Sequence, residues 1–203
     1  NGSKAFKEAM PVWLHEKLFQ KRLLVDKLAQ GAGKQAKSDI RKKLLFSDHH
    51  LSHAASAFYP SPFDEAVILT LDGIGEWSSS TIGIGRGNDI NIDREIKFPH
   101  SLGLLYSAFT AYLGFKVNSG EYKVMGLAPY GKPRFAEAIC KHIVDVKEDG
   151  SFRLNQSYFD YMGGFSMFSA RFIELFGQPP RMAENPLEQF HMDMAASIQN
   201  VTE

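Results

Sequence analysis

A mixed α/β fold, with a β-meander and flanking helices, is predicted from three features of the sequence. The run Val67-Ile68-Leu69-Thr70-Leu71 is of strand length, nearly continuous in apolar residues and followed by glycine turns, the pattern of a central buried strand. TIGIGRG and INIDREIKF alternate in character and are joined by Gly87-Asn88-Asp89, which extends that strand into a meander. SLGLLYSAFTAYLGF then changes to helical period and closes at Gly114.

The remaining elements follow from the same signals. Phe6, Met10, Trp13, Leu14, Leu18, Leu23 and Leu24 form a broad helical stripe over residues 4–30, with Pro11 as an early break. GAGKQAKSD reads as a loop or frayed connection and KKLLFSD as a short strand leading to the histidines. HLSHAASAFYP fits a helix until Pro60 and Pro62 end it. NSGEYKVMGLAPYGKP reads as a Gly/Pro-rich loop, followed by a helix over 134–142 and a hairpin through Glu148-Asp149-Gly150. From Gln156 onward the pattern is largely helical, interrupted by Gly-Gly and Pro-Pro, with a last helix opened by Asn185 and Pro186. That helix meets no stop signal, so the chain reads as a piece excised from a longer protein.

With 203 residues, 44% hydrophobic and 23% charged, the composition is that of an ordinary globular chain. A net charge of +0 gives no whole-protein argument for nucleic acid or an anionic membrane. No apolar run approaches the ~20 residues that span a bilayer, and NGSKAFKEAM has no signal-peptide core. Cys140, the single cysteine, excludes an intramolecular disulfide and fits a reducing cytoplasm; its helical context reads as a buried structural thiol. Charge is uneven: residues 1–44 form a basic helical segment, which reads as a solvated face or as a surface for an anionic partner.

Ser47-Asp48-His49-His50-Leu51-Ser52-His53 carries the chemistry. On a helix His49 and His53 share one face, one turn apart, the spacing by which two imidazoles meet one cation. A hydrogen-bonded helix face is the competing reading. His50 points about 100° away, as a residue behind the site or on the surface. A zinc-protease motif is excluded, because the glutamate beside the first histidine is absent. Asp72 ends the apolar strand, where an open sheet places its polar groups. His49, His53 and Asp72 together make a two-histidine, one-carboxylate set suited to iron, zinc or manganese. Gly73 and Gly75 make a tight turn that admits a phosphate or simply closes a hairpin, and Lys123 lies in a glycine-hemmed loop that is functional or structural.

HHLSHAASAFYPSPF, LTLDGIGEW and FPHSLGLLYSAFTAYLGFKVNSGEYKVMGLAPYG together resemble the nodulation and antibiotic-biosynthesis O-carbamoyltransferases, the NodU/CmcH type. The resemblance is dense from about Leu45 to Pro133 and looser elsewhere. It implies an actin, sugar-kinase and heat-shock-ATPase-like lobe, incomplete here, with residues 45–203 as part of the first lobe, truncated at both ends. It implies a metal, commonly iron, on His49, His53 and Asp72 beside an ATP site, with a further aspartate from the second lobe. It also implies carbamoyl phosphate as donor, carbamoyl-adenylate as intermediate and a hydroxyl-bearing small molecule as acceptor. A hydrogenase-maturation or tRNA threonylcarbamoyl-type transferase, and a non-catalytic metal- or nucleotide-binding module, are the alternatives. The fragment alone is expected to be inactive, and no catalytic residue is assigned.

Overall fold

The meander follows the reading. In the computed structural model, which describes residues 2–203, β1 (Glu65–Gly75), β2 (Ser78–Arg86) and β3 (Asp89–Lys97) form an antiparallel sheet in the order β1-β2-β3. A shorter pair, β4 (Val144–Val146) and β5 (Phe152–Leu154), forms the expected hairpin. The apolar run of β1 is not a central strand among the described residues. It lies at the sheet edge, with Val67 74%, Leu69 59% and Leu71 54% exposed. Its other face packs Ile68 against Ala54 and Phe58 of α4 (His49–Phe58). A continuous apolar run specifies two covered faces, and the described residues cover one.

The chain divides into two units. The first runs to Asp48 and takes in Gly163–Phe165. It contains α1 (Gly2–Val12), a π-helical turn at Trp13–Lys17, α2 (Gln20–Leu28) and α3 (Lys34–Lys43). Pro11 lies inside α1 and the irregular turn comes just after it, as expected of a residue that cannot donate to the preceding turn. GAGKQAKSD is corrected from loop to helix from Lys34, since no glycine or proline follows Gly33 and the next residues favour helix. KKLLFSD is not a strand: α3 runs to Lys43, and residues 44–48 are irregular. Asp26 and Lys37 form an ion pair between α2 and α3, and Val25 is buried.

The second unit comprises His49–Met162 and Ser166–Glu203. Its core gathers around α5 (Leu102–Tyr112), whose Leu105 and Phe109 meet residues of α7 (Ala136–His142), α8 (Ala170–Phe176) and α9 (Gln189–Thr202). NSGEYKVMGLAPYGKP is corrected from loop to helix over α6 (Glu121–Leu127), where Val124 and Leu127 are buried one turn apart. Cys140 is exposed, because short α7 buries Ile139 and turns the next position outward. The last helix begins at Gln189 and not at Asn185, since Glu188 and His191 cap its start reciprocally, with Glu188 N donating to His191 Nδ1 at 2.9 Å. Residues 155–169 hold irregular chain and a 3₁₀ turn rather than the expected helix.

Asp193 ties the Gly-Pro loop before α7 to α9. Its side chain, 3% exposed, accepts from Lys132 N at 2.8 Å and Gln189 Nε2 at 2.9 Å and pairs with Arg134 at 3.1 Å. Burial pushes its carboxyl up, but Gln189, the Lys132 amide and the charges of Arg134 and Lys132 outweigh that and hold it below 3.8. A lowered folded pKa contributes stability above the unfolded value and loses it as pH falls through the folded one. The urea midpoint gap between wild type and Asp193→Asn is therefore expected to be constant above about pH 5 and to narrow below about pH 4. A gap that widens on acidification would contradict the assignment.

Candidate metal centre

α4 presents two faces to two tasks. His50, Ala54 and Phe58 form the buried stripe that seats it on the sheet, which leaves His49 and His53 over the end of β1. The approach is close: a Cβ on Gly75 would lie 2.2 Å from His49 Cδ2, so only glycine admits the ring there. β1 runs on past Asp72 to Gly75, and its register with β2 shifts between Leu71 and Gly75. Such an irregularity re-aims a side chain out of the ladder, and Asp72 sits within it. Asp72 Oδ1 accepts from Gly73 N at 2.6 Å, which leaves Oδ2 for the histidines. Ser101, the N-cap of α5, donates to Asp72 O and accepts from Leu104 N, both at 3.0 Å. The turn holding the carboxylate is thereby fixed to the start of α5.

Three donor atoms converge. His49 Nε2 lies 2.6 Å from Asp72 Oδ2 and 2.9 Å from His53 Nε2, and His53 Nε2 lies 3.6 Å from Asp72 Oδ2. A first-row divalent ion with bonds of about 2.1 Å needs donors roughly 3.0–3.4 Å apart, a range that the three separations of 2.6, 2.9 and 3.6 Å bracket. The donor chemistry agrees. His49 Nε2 makes two short contacts but carries at most one proton, directed at one partner. A cation at the centre would satisfy all three lone pairs at once. Burial pushes the Asp72 carboxyl up, but the Gly73 amide, the His49 hydrogen bond and the charges of His49 and His53 together hold it below 3.8. Side-chain exposures of 40%, 52% and 32% for His49, His53 and Asp72 leave one side open for further ligands.

The other candidates fall in different places. Gly73 lines a cleft of about 600 Å³ together with Asp72, Leu102, Ser107, Glu121 and Gln199. Gly75 backs onto His49. Lys123 does not line that cleft; its ammonium lies 6.0 Å from the centre of the Phe115 ring. Glu121 escaped the sequence reading. It accepts from Ser107 Oγ and Asn118 N at 2.9 Å and from Gly120 N at 3.1 Å. Burial pushes its carboxyl up, but the Asn118 and Glu121 amides, Ser107 and the Gly120 amide hold it below 4.5. The available signal was its position directly after Gly120 at a helix start, where an acid meets free amides.

The geometry defines a class: an α/β domain in which two imidazoles and one carboxylate, a set that could hold a metal ion, converge beside a cleft. The whole chain, residues 1–203, matches the family described as the carbamoyltransferase N-terminus, and it belongs to that family. It is 55% identical over 202 residues to an uncharacterised protein of Synechocystis sp., covering 100% of this chain and 32% of that protein. It is 36% identical to the nodulation protein NolNO of Sinorhizobium fredii, covering 90% of this chain and 25% of that protein. The nodulation protein NolO of Bradyrhizobium diazoefficiens is 34% identical, over 77% of this chain and 26% of its own length. The chain thus spans a third or less of these curated relatives. No helix among the described residues is long and apolar enough to cross a membrane.

Proposed function

We propose that this chain belongs to an O-carbamoyltransferase that moves a carbamoyl group from carbamoyl phosphate, through carbamoyl-adenylate made with ATP, to an acceptor hydroxyl. In this reading His49, His53 and Asp72 hold a divalent cation, iron before zinc or manganese, and residues 45–203 are part of an actin/sugar-kinase-like lobe. The convergence of two imidazole nitrogens and a carboxylate oxygen on one point, beside an open cleft, is the observation that carries the proposal. A bound cation supplies charge neutralisation and Lewis acidity for phosphate oxygens.

The chain's own groups have separable parts in this scheme. The imidazoles and Oδ2 of Asp72 bind, while Gly73 N and Ser101 Oγ orient the aspartate. A Cβ on Gly73 would meet nothing within 4 Å, so the backbone there is open to the approach of a phosphate. Glu121, held ionised, offers acceptor-only oxygens to hydroxyl groups of a ligand in the cleft. In this reading the acceptor contacts, the carbamoyl phosphate contacts and any further metal ligand are supplied from outside these 203 residues, which span a third or less of the curated relatives.

The test is metal content and carbamoyl-adenylate formation in the full-length protein, wild type against His53→Ala. One equivalent of metal in the wild type is expected, lost in the variant together with at least ~100-fold of the activity. Wild-type turnover by metal-free His53→Ala would overturn the proposal.

A further inference from the structure

We infer that His50 is a positioning residue: its imidazole fixes the rotation of α4 over β1 and β2, and so aims His49 and His53 at Asp72. This rests on the metal reading above. His50 is 5% exposed and is held at both ring nitrogens, with Nδ1 2.6 Å from Thr70 Oγ1 and Nε2 2.8 Å from Ser78 O. A carbonyl only accepts, so Nε2 carries the hydrogen. In that tautomer Nδ1 accepts from the Thr70 hydroxyl. Thr70 Oγ1 in turn accepts from Thr81 Oγ1 at 2.7 Å, its cross-strand partner in the register. One ring thus links α4 to the middle of β1, through it to β2, and directly to the start of β2.

Among the three buried residues of α4, His50 makes the directional contacts. Ala54 and Phe58 contribute apolar contact, which is non-directional. The metal geometry is sensitive to rotation. A side-chain tip about 5–6 Å from the helix axis moves about 2 Å when the helix turns by roughly 20°. That is enough to separate nitrogens whose contacts with Asp72 Oδ2 are now 2.6 and 3.6 Å. His50 lies next to one ligand and three residues before the other, with its ring centre 5.5 Å from that of His49 and 6.0 Å from that of His53. A buried polar link in an apolar interface is a directional constraint, and it holds only while every member is satisfied.

The experiment uses the full-length protein and combines Co(II) titration against a competing chelator, the Co(II) absorption spectrum, and ring nitrogen NMR of the metal-free form. The variants are His50→Phe, which keeps a ring of similar size, His50→Gln, which keeps one donor and one acceptor, and Thr70→Val. His50→Phe is expected to bind Co(II) at least about tenfold more weakly, the low end for loss of a group that orients metal ligands. Its Co(II) spectrum should change and its His49 and His53 ring signals should move, with partial recovery in His50→Gln. Thr70→Val should weaken binding in the same direction, and it decides the matter if His50→Phe does not fold. Folded variants with wild-type affinity, spectrum and ring signals would overturn the inference. Full-length wild-type protein that takes up no Co(II) would instead overturn the metal reading, and the ring signals would still decide whether His50 sets the histidine geometry.

Discussion

Asp72→Ala is expected to lower divalent-metal affinity by at least ~100-fold, more than the loss of an orienting neighbour costs, while the metal-free domain keeps its fold. The substitution removes the only carboxylate in the candidate donor set, leaving two imidazoles to hold a doubly charged ion. It leaves in place the main-chain anchor, because Ser101 Oγ binds Asp72 O and not the side chain. The start of α5 therefore stays against the turn after Leu71, where a Cβ on Gly103 would already lie 2.8 Å from Asp72 O. Asp72→Asn keeps the shape and one acceptor oxygen but loses the charge, and its affinity should fall between the two. Chelator competition with Co(II) or Fe(II) measures both, and far-UV circular dichroism checks the fold. Retention of metal within a few-fold in folded Asp72→Ala would put the ion elsewhere.

How much of this was legible in the sequence depends on the range of the interaction involved. The HxxxH spacing is local, so α4 and its paired imidazoles could be read directly, as could the meander from its Gly87-Asn88 turn and the hairpin at Gly150. Asp72 could be placed at the end of an apolar run, though not the register shift that turns it toward the histidines. Two helices were hidden by punctuation: α3 behind Gly31 and Gly33, and α6 among Gly120, Gly126 and Pro129. In α6 the burial of Val124 and Leu127 outweighs the glycine penalty of about 1 kcal/mol. The exposure of β1 was illegible because an apolar run records what a strand needs covered and not which part of the chain covers it. His50 could be placed behind the site or on the surface from its angle on the helix, but not its partners, which lie 20 and 28 residues away. A threonine within ILTL was the one hint that something polar was due behind the strand.

Phe172→Ala should produce the largest loss of stability in the second unit without touching the candidate site. Phe172 on α8 is fully buried, with its ring centre 5.1 Å from Phe109, 5.3 Å from Tyr112, 5.5 Å from Phe168 and 4.9 Å from Phe176. Truncation removes a ring from the middle of that cluster, and neighbours on three elements cannot all move inward. A Phe→Ala change in such a core costs about 3–5 kcal/mol, which for a unit of this size lowers the melting temperature by roughly 10 °C. The consequence for function is indirect. Phe109 and Tyr112 lie toward the end of α5, whereas its start, through Ser101, holds the Asp72 turn. A destabilised α5 thus loses the site only when the unit unfolds. Well below its melting temperature Phe172→Ala should bind Co(II) with wild-type affinity, whereas Asp72→Ala should melt close to wild type and bind poorly. Thermal melts and titrations on the two proteins separate the core from the site, and weakened binding by cold, folded Phe172→Ala would show that the core sets the site geometry directly.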